Sequence, residues 1–143
     1  MQETKKVGEI MTRDIISVKL DSTVAEILDK MVTNNISGVV VVDSGGDVVG
    51  VVSALDIFKL ANGNPGINFK YTAEDIMTPY TISVTPETTV EEAGRVMLEN
   101  GIHRLVVTAS PTRKKPLGIV TSTDVLRVLG EKAKRFLEEQ QKN

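Results

Sequence analysis

The chain has 143 residues, 41% hydrophobic and 25% charged, with 17 basic and 19 acidic side chains and a formal charge of −2; this composition excludes wholesale disorder and a protein built to coat nucleic acid. It has no cysteine and a single histidine, His103, so disulfides, thiolate or two-histidine metal sites and cysteine nucleophiles are excluded. No apolar run approaches membrane-spanning length and residues 1–6 are polar, so the expectation is a cytoplasmic protein with no membrane partner.

In chain order, an extended segment over Ile15–Val18 leads to a helix whose apolar stripe is Val24, Ile27, Leu28, Met31 and Val32. Thr23 and Glu26 have capping-box spacing, and Asn35 stands where the helix should stop. A β-branched run, Ile36–Val42, then turns through Asp43–Asp47 into a second strand, Val48–Val52. A second helix starts near Ser53, and Ala61–Tyr71, with its Asn-Gly-Asn-Pro-Gly, reads as a linker.

The same series follows again. Thr81–Val84 is extended, Val90, Ala93, Gly94, Met97 and Leu98 form the next stripe, Thr89 and Glu92 cap it, and Gly101 ends it. Strands over Ile102–Thr108 and Leu117–Val120 precede a helix from Thr121, which runs on through residues 131–143. There Glu131/Arg135, Lys134/Glu138 and Arg135/Glu139 are opposite-charge pairs one turn apart. The seam Leu126, Leu129, Ala133, Phe136 admits two readings, packing on the chain's own body or contact in a dimer.

The order strand, helix, strand, strand, helix thus occurs twice, and the residues repeat with it. Shifted by 66 positions, residues 10–42 match residues 76–108 at 14 of 33 places, including Ile10-Met11-Thr12 on Ile76-Met77-Thr78. The shift then becomes 68, setting Gly50, Val52 and Asp56 on Gly118, Val120 and Asp124. The two extra residues fall in Ala-Ser-Pro-Thr-Arg-Lys-Lys, 109–115, where Lys114 and Lys115 read as a solvated loop. Neither copy is long enough to be comfortable alone, so the two are expected to pack sheet to sheet around one core that takes in Met11, Met31, Met77 and Met97.

Polar chemistry gathers at two kinds of place. In Gly50-Val-Val-Ser-Ala-Leu-Asp56 and Gly118-Ile-Val-Thr-Ser-Thr-Asp124 a strand ends on a hydroxyl residue and a helix opens with a carboxylate in its first turn. The helix start attracts anions, and a carboxylate there can accept two hydrogen bonds from a diol. The same Ser-x-x-Asp and Thr-x-x-Asp spacing also caps a helix with no ligand. His103 and Arg104 open a strand and read either as solvated surface or as an anion contact. Catalysis has no motif behind it, for neither a Gly-Lys-Ser/Thr phosphate loop nor a Gly-x-Ser-x-Gly elbow is present.

The duplicated unit resembles the CBS domain, named after cystathionine β-synthase, and the pair resembles a Bateman module. The likeness rests on Ile-Met-Thr opening each copy, on Ile36-Ser-Gly-Val-Val-Val-Val-Asp43 and Ile102-His-Arg-Leu-Val-Val107, and on the two closures ending at Asp56 and Asp124. It implies an α+β fold, a tandem CBS pair with each copy β-α-β-β-α, related by a pseudo-twofold with sheets packed together. The boundaries are then 7–60 and 73–130 for the two CBS domains, 61–72 for the linker and 131–143 for a helical extension.

The resemblance implies a regulatory module rather than an enzyme, binding AMP, ADP, ATP or S-adenosylmethionine as ligand and needing no catalytic cofactor or metal. Asp56 and Asp124 would take the ribose. Asp56 and Ser53 would share a cleft with Ile82, Ile102, His103 and Arg104, the last two near phosphates. Asp124, Thr121 and Thr123 would share the other with Thr12, Ile16, Ile36, Ser37 and Gly38. Because Ser37 and Gly38 stand where the second copy has His103 and Arg104, the clefts would be unequally basic. Partners implied are a second copy, giving a disc of four CBS units, and an effector protein in trans. The alternative is a structural dimerisation module without ligand.

Overall fold

The computed structural model describes residues 4–62, 66–79 and 82–142. Gly63, Asn64 and Pro65 of the expected linker, and Thr81 at the head of an expected strand, lie outside them. The elements are α1 (Val7–Ile10), β1 (Ser17–Lys19), α2 (Val24–Thr33), β2 (Gly38–Val42), β3 (Val48–Ser53), α3 (Ala54–Ala61), α4 (Ala73–Ile76), β4 (Thr78–Pro79), β5 (Ser83–Val84), α5 (Val90–Asn100), β6 (Arg104–Thr108), β7 (Pro116–Thr121) and α6 (Ser122–Gln141). The strand-helix-strand-strand-helix order therefore occurs twice, with a one-turn helix, α1 or α4, ahead of each copy. No helix among the described residues is long and apolar enough to cross a membrane.

The chain divides into two compact units, Asp14–Ile82 with Thr112–Pro116, and Met1–Arg13 with Ser83–Pro111 and Leu117–Asn143. In the first, the sheet order is β1-β2-β3-β4. β1 and β2 are parallel, with Ser17 beside Val40, and α2 is the crossover that parallel strands require. β2, β3 and β4 follow antiparallel. The core is Val18, Val24, Ile27, Met31, Val39, Val41, Val52, Ile57 and Ala73.

Thr23 and Glu26 form the reciprocal capping box, each accepting the other's backbone N–H at 3.2 Å. The other end of α2 closes at Asn35, whose φ of 51° is in the left-handed region. The buried face is narrower than the stripe suggests: Val24, Ile27 and Met31 are buried, Leu28 is half-buried, and Val32 is 77% exposed.

The hairpin turn is held by the Asp43 carboxylate, which accepts the N–H groups of Gly45 at 2.9 Å and Asp47 at 3.0 Å. The loop carrying Lys114 and Lys115 is largely exposed, as expected, and it also meets this turn. The Lys114 carbonyl accepts the Val48 N–H at 2.9 Å, and the Lys115 ammonium donates to the Gly45 carbonyl, so residues 114–115 clasp the hairpin.

In the second unit the order is β5-β6-β7, with β5 parallel to β6. The first residues of the chain join it: the Val7 N–H donates to the Thr88 carbonyl at 2.8 Å, and Thr12 and Ile119 exchange backbone hydrogen bonds at 2.8 and 2.9 Å. Val7, Met11, Val84, Val90, Ala93, Met97, Leu105, Val107, Val120 and Val128 are buried. Gly101 ends α5 at φ 61°. The Thr89 hydroxyl accepts the Glu92 N–H at 3.1 Å, but the Glu92 carboxylate binds Arg95. In α6, Leu126, Leu129 and Phe136 are exposed.

Candidate functional site

Each repeat closes a strand with a hydroxyl residue and opens the next helix with a carboxylate, and the backbone brings the strand entry of the same repeat beside that closure. In the first unit Gly38 pairs with Ser53 across β2 and β3, and the Ala54 N–H donates to the Ser37 carbonyl at 3.0 Å. In the second, the Ser122 N–H donates to the His103 carbonyl at 2.8 Å.

Asp56 is only 7% exposed, a burial a carboxylate tolerates when its oxygens are satisfied. Its Oδ2 accepts the Ser53 N–H at 2.8 Å and the Ser53 hydroxyl at 3.1 Å. Its Oδ1 accepts the Thr78 hydroxyl at 3.0 Å. Asp56 thus closes the capping box of α3 and also accepts a hydrogen bond from the more distant Thr78. Thr78 is not among the expected site residues, although the 66-residue shift sets it on Thr12, which is one of them.

Asp124 is held differently. Its Oδ2 accepts the Thr121 N–H at 2.8 Å, and its own N–H donates to the Thr121 hydroxyl at 3.2 Å. Its Oδ1 lies 3.5 Å from Arg127 Nη1, an exposed guanidinium. The repeat places Lys59 at the position equivalent to Arg127.

The other expected site residues divide between the units. Ile16, Ile36 and Gly38 are half-buried and Ser37 is exposed in the first unit, where Ile16 and Ile36 pack against the core. Ile82, half-buried, ends the same unit. Thr12, Thr121, Thr123, Ile102, His103 and Arg104 belong to the second unit. There Thr12, Thr123, His103 and Arg104 are exposed and Ile102 and Thr121 half-buried. His103 and Ile102 also border a groove of about 530 Å³ between α5 and α6, with Leu98 and Leu126 on its rim. Among the described residues no group of acidic or histidine side chains is placed to hold a metal ion.

Comparison with known proteins agrees with this architecture. A CBS domain pair solved in complex with 5′-methylthioadenosine and S-adenosyl-L-methionine superposes with a TM-score of 0.79 and 27% identity, covering 91% of this chain and 99% of that one. CBSX2 in complex with AMP gives a TM-score of 0.77 and 29% identity, covering 89% and 97%. The inosine-5′-monophosphate dehydrogenase of Methanocaldococcus jannaschii is 30% identical over 127 residues, which are 89% of this chain and 24% of the dehydrogenase, so this chain spans about a quarter of that relative's length. The CBS domain family model matches residues 7–63 and again 73–131, in register with the internal duplication, and the chain accordingly belongs to the CBS domain family.

Proposed function

We propose that the chain is a regulatory module that binds an adenosine-containing ligand (AMP, ADP, ATP or an S-adenosyl compound) and passes the binding event to an effector protein in trans. Asp56 and Asp124 accept ribose hydroxyls. Ser53, Thr121 and Thr123 line the helix starts, and Arg104 with His103 meets phosphate. The apolar residues Ile16, Ile36, Ile82 and Ile102 face the base, and Thr12, Ser37 and Gly38 complete the set. The two CBS domains are residues 7–60 and 73–130, joined by 61–72 and followed by the extension 131–143. The chain works in the cytoplasm as a homodimer.

The observation that carries this reading is the duplicated closure, in which a carboxylate is fixed by backbone N–H beside the start of a helix. Such a site offers acceptors to a diol and partial positive charge to an anion within one turn. Related CBS pairs that hold AMP, or 5′-methylthioadenosine with S-adenosyl-L-methionine, support the ligand class. Because a ligand shifts an equilibrium only through unequal affinity for its two states, the signal must come from a change on binding.

The test is a thermal-shift panel of AMP, ATP and S-adenosylmethionine on the wild type, Asp56→Ala and Asp124→Ala. A ligand at 100 times its dissociation constant adds about 2.7 kcal/mol, which is roughly 5–10 °C at this size. Each substitution should remove the response of one position only. Variants that respond as the wild type does to every compound would end the ribose assignment.

A purely structural dimerisation module is the second reading. It is favoured by the exposed apolar side chains Val32, Leu55 and Phe58 in one unit and Leu98, Leu126 and Leu129 in the other. A dimer that forms normally while no compound shifts its melting would support it.

A further inference from the structure

The two closures differ in what already occupies the carboxylate. A carboxylate offers about four lone-pair positions, two on each oxygen. At Asp56 both positions on Oδ2 are filled, by the Ser53 N–H and the Ser53 hydroxyl, and one on Oδ1 is filled by the Thr78 hydroxyl. One position remains, whereas a vicinal diol gripped with both hydroxyls needs two. At Asp124 the Thr121 N–H takes one position on Oδ2, and the Oδ1 neighbour is the exposed Arg127 side chain at 3.5 Å. Thr12 stands where the repeat puts Thr78 and pairs with Ile119 through backbone, as Thr78 pairs with Val51. Among the described residues no hydrogen bond joins its hydroxyl to Asp124.

From this asymmetry we infer that the Thr78 hydroxyl is a built-in competitor for the diol at Asp56, an internal stand-in for one ribose hydroxyl that weakens this position relative to Asp124. The inference rests on the ribose reading proposed above. Its geometry suits the role. Thr78 lies in β4, a strand of two residues, and is an exposed side chain that can turn its hydroxyl to water when a ligand arrives. The Asp56 carboxylate is nearly buried, so it needs a donor whenever no ligand supplies one. Thr78 meets that need without adding charge. Binding at Asp56 therefore includes the loss of an existing hydrogen bond, and Thr78 sets how much affinity is lost.

The experiment is calorimetric titration of AMP into the full chain carrying Asp124→Ala, so that only the Asp56 position is read. Adding Thr78→Val, which keeps the shape and removes the donor, should tighten binding about tenfold. Thr78→Ala should act in the same direction, and Thr78→Ser, which keeps a hydroxyl, should stay within about twofold of the Asp124→Ala parent. Unchanged or weaker binding in both Thr78→Val and Thr78→Ala overturns the inference while leaving the ribose reading intact, provided Asp56→Asn still abolishes binding. If Asp56→Asn binds as the parent does, the ribose reading fails and takes the inference with it. Should the parent show no heat with AMP, binding that appears in Thr78→Val supports the competitor role, and its absence there overturns it.

Discussion

The carbonyl oxygen of Thr12 lies 2.6 Å from the point where a Cβ on Gly118 would stand, closer than atoms can approach. The repeat makes the same demand at Gly50, where the Met77 sulfur would lie at 2.5 Å and the Thr78 carbonyl at 2.9 Å. These glycines let the Ile-Met-Thr segment run tight against the closing strand. Gly118→Ala should therefore cost about 1–3 kcal/mol, because a backbone oxygen cannot swing aside as a side chain can. Gly50→Ala should be partly relieved by Met77→Ala, since the nearest obstacle there is a flexible side chain. Urea unfolding midpoints of the three variants check this, and equal stability of Gly118→Ala and wild type would contradict it.

One helix carries a sharp contrast between two apolar residues. Ile27 is fully buried and Val32 is 77% exposed, although both belong to the stripe of α2. Ile27→Ala should cost about 2–5 kcal/mol, while Val32→Ser should stay within about 0.5 kcal/mol. Denaturant melts at a concentration low enough to keep chains apart make the comparison.

Glu26 titrates as part of its capping box. The Thr23 backbone N–H, with the Thr23 hydroxyl second, holds its carboxyl below the usual value. A depressed folded-state value means that the stabilisation is fully present above the unfolded carboxylate range and is lost as pH falls through the lower folded value. The stability gap between wild type and Glu26→Gln should therefore be widest near neutral pH and shrink on acidification. A gap that grows toward low pH would reverse the sign of this argument.

If the exposed rows on both units are the surfaces by which copies meet, one charge at their centre should be enough to part them. Leu98, the most exposed large apolar side chain among the described residues at 82%, lines the α5–α6 groove, and Phe58 is exposed on α3. Leu98→Asp and Phe58→Asp should lower the sedimenting mass toward that of one chain with little change in helix content. Variants that sediment as the wild type does would end the proposal that copies meet through these side chains.

Local chemistry was legible from residues alone. The capping at Thr23 and Thr89, the left-handed stops at Asn35 and Gly101 and the hairpin at Asp43 each depend on neighbours a few positions apart, so spacing is enough to reveal them, and the duplication shows as a direct match of residue types along the chain. The carboxylates Asp56 and Asp124 were legible for the same reason, as first-turn residues three positions after a hydroxyl. Tertiary structure alone decided which residues from distant stretches meet. Thr78 reaches Asp56 across 22 positions, the first residues of the chain join the unit of the second repeat, and Lys114 pairs with Val48. It also decided that Val32 and Leu98 stay in solvent, because a helix stripe records which side chains are apolar, whereas burial depends on how much of that stripe a neighbouring layer covers.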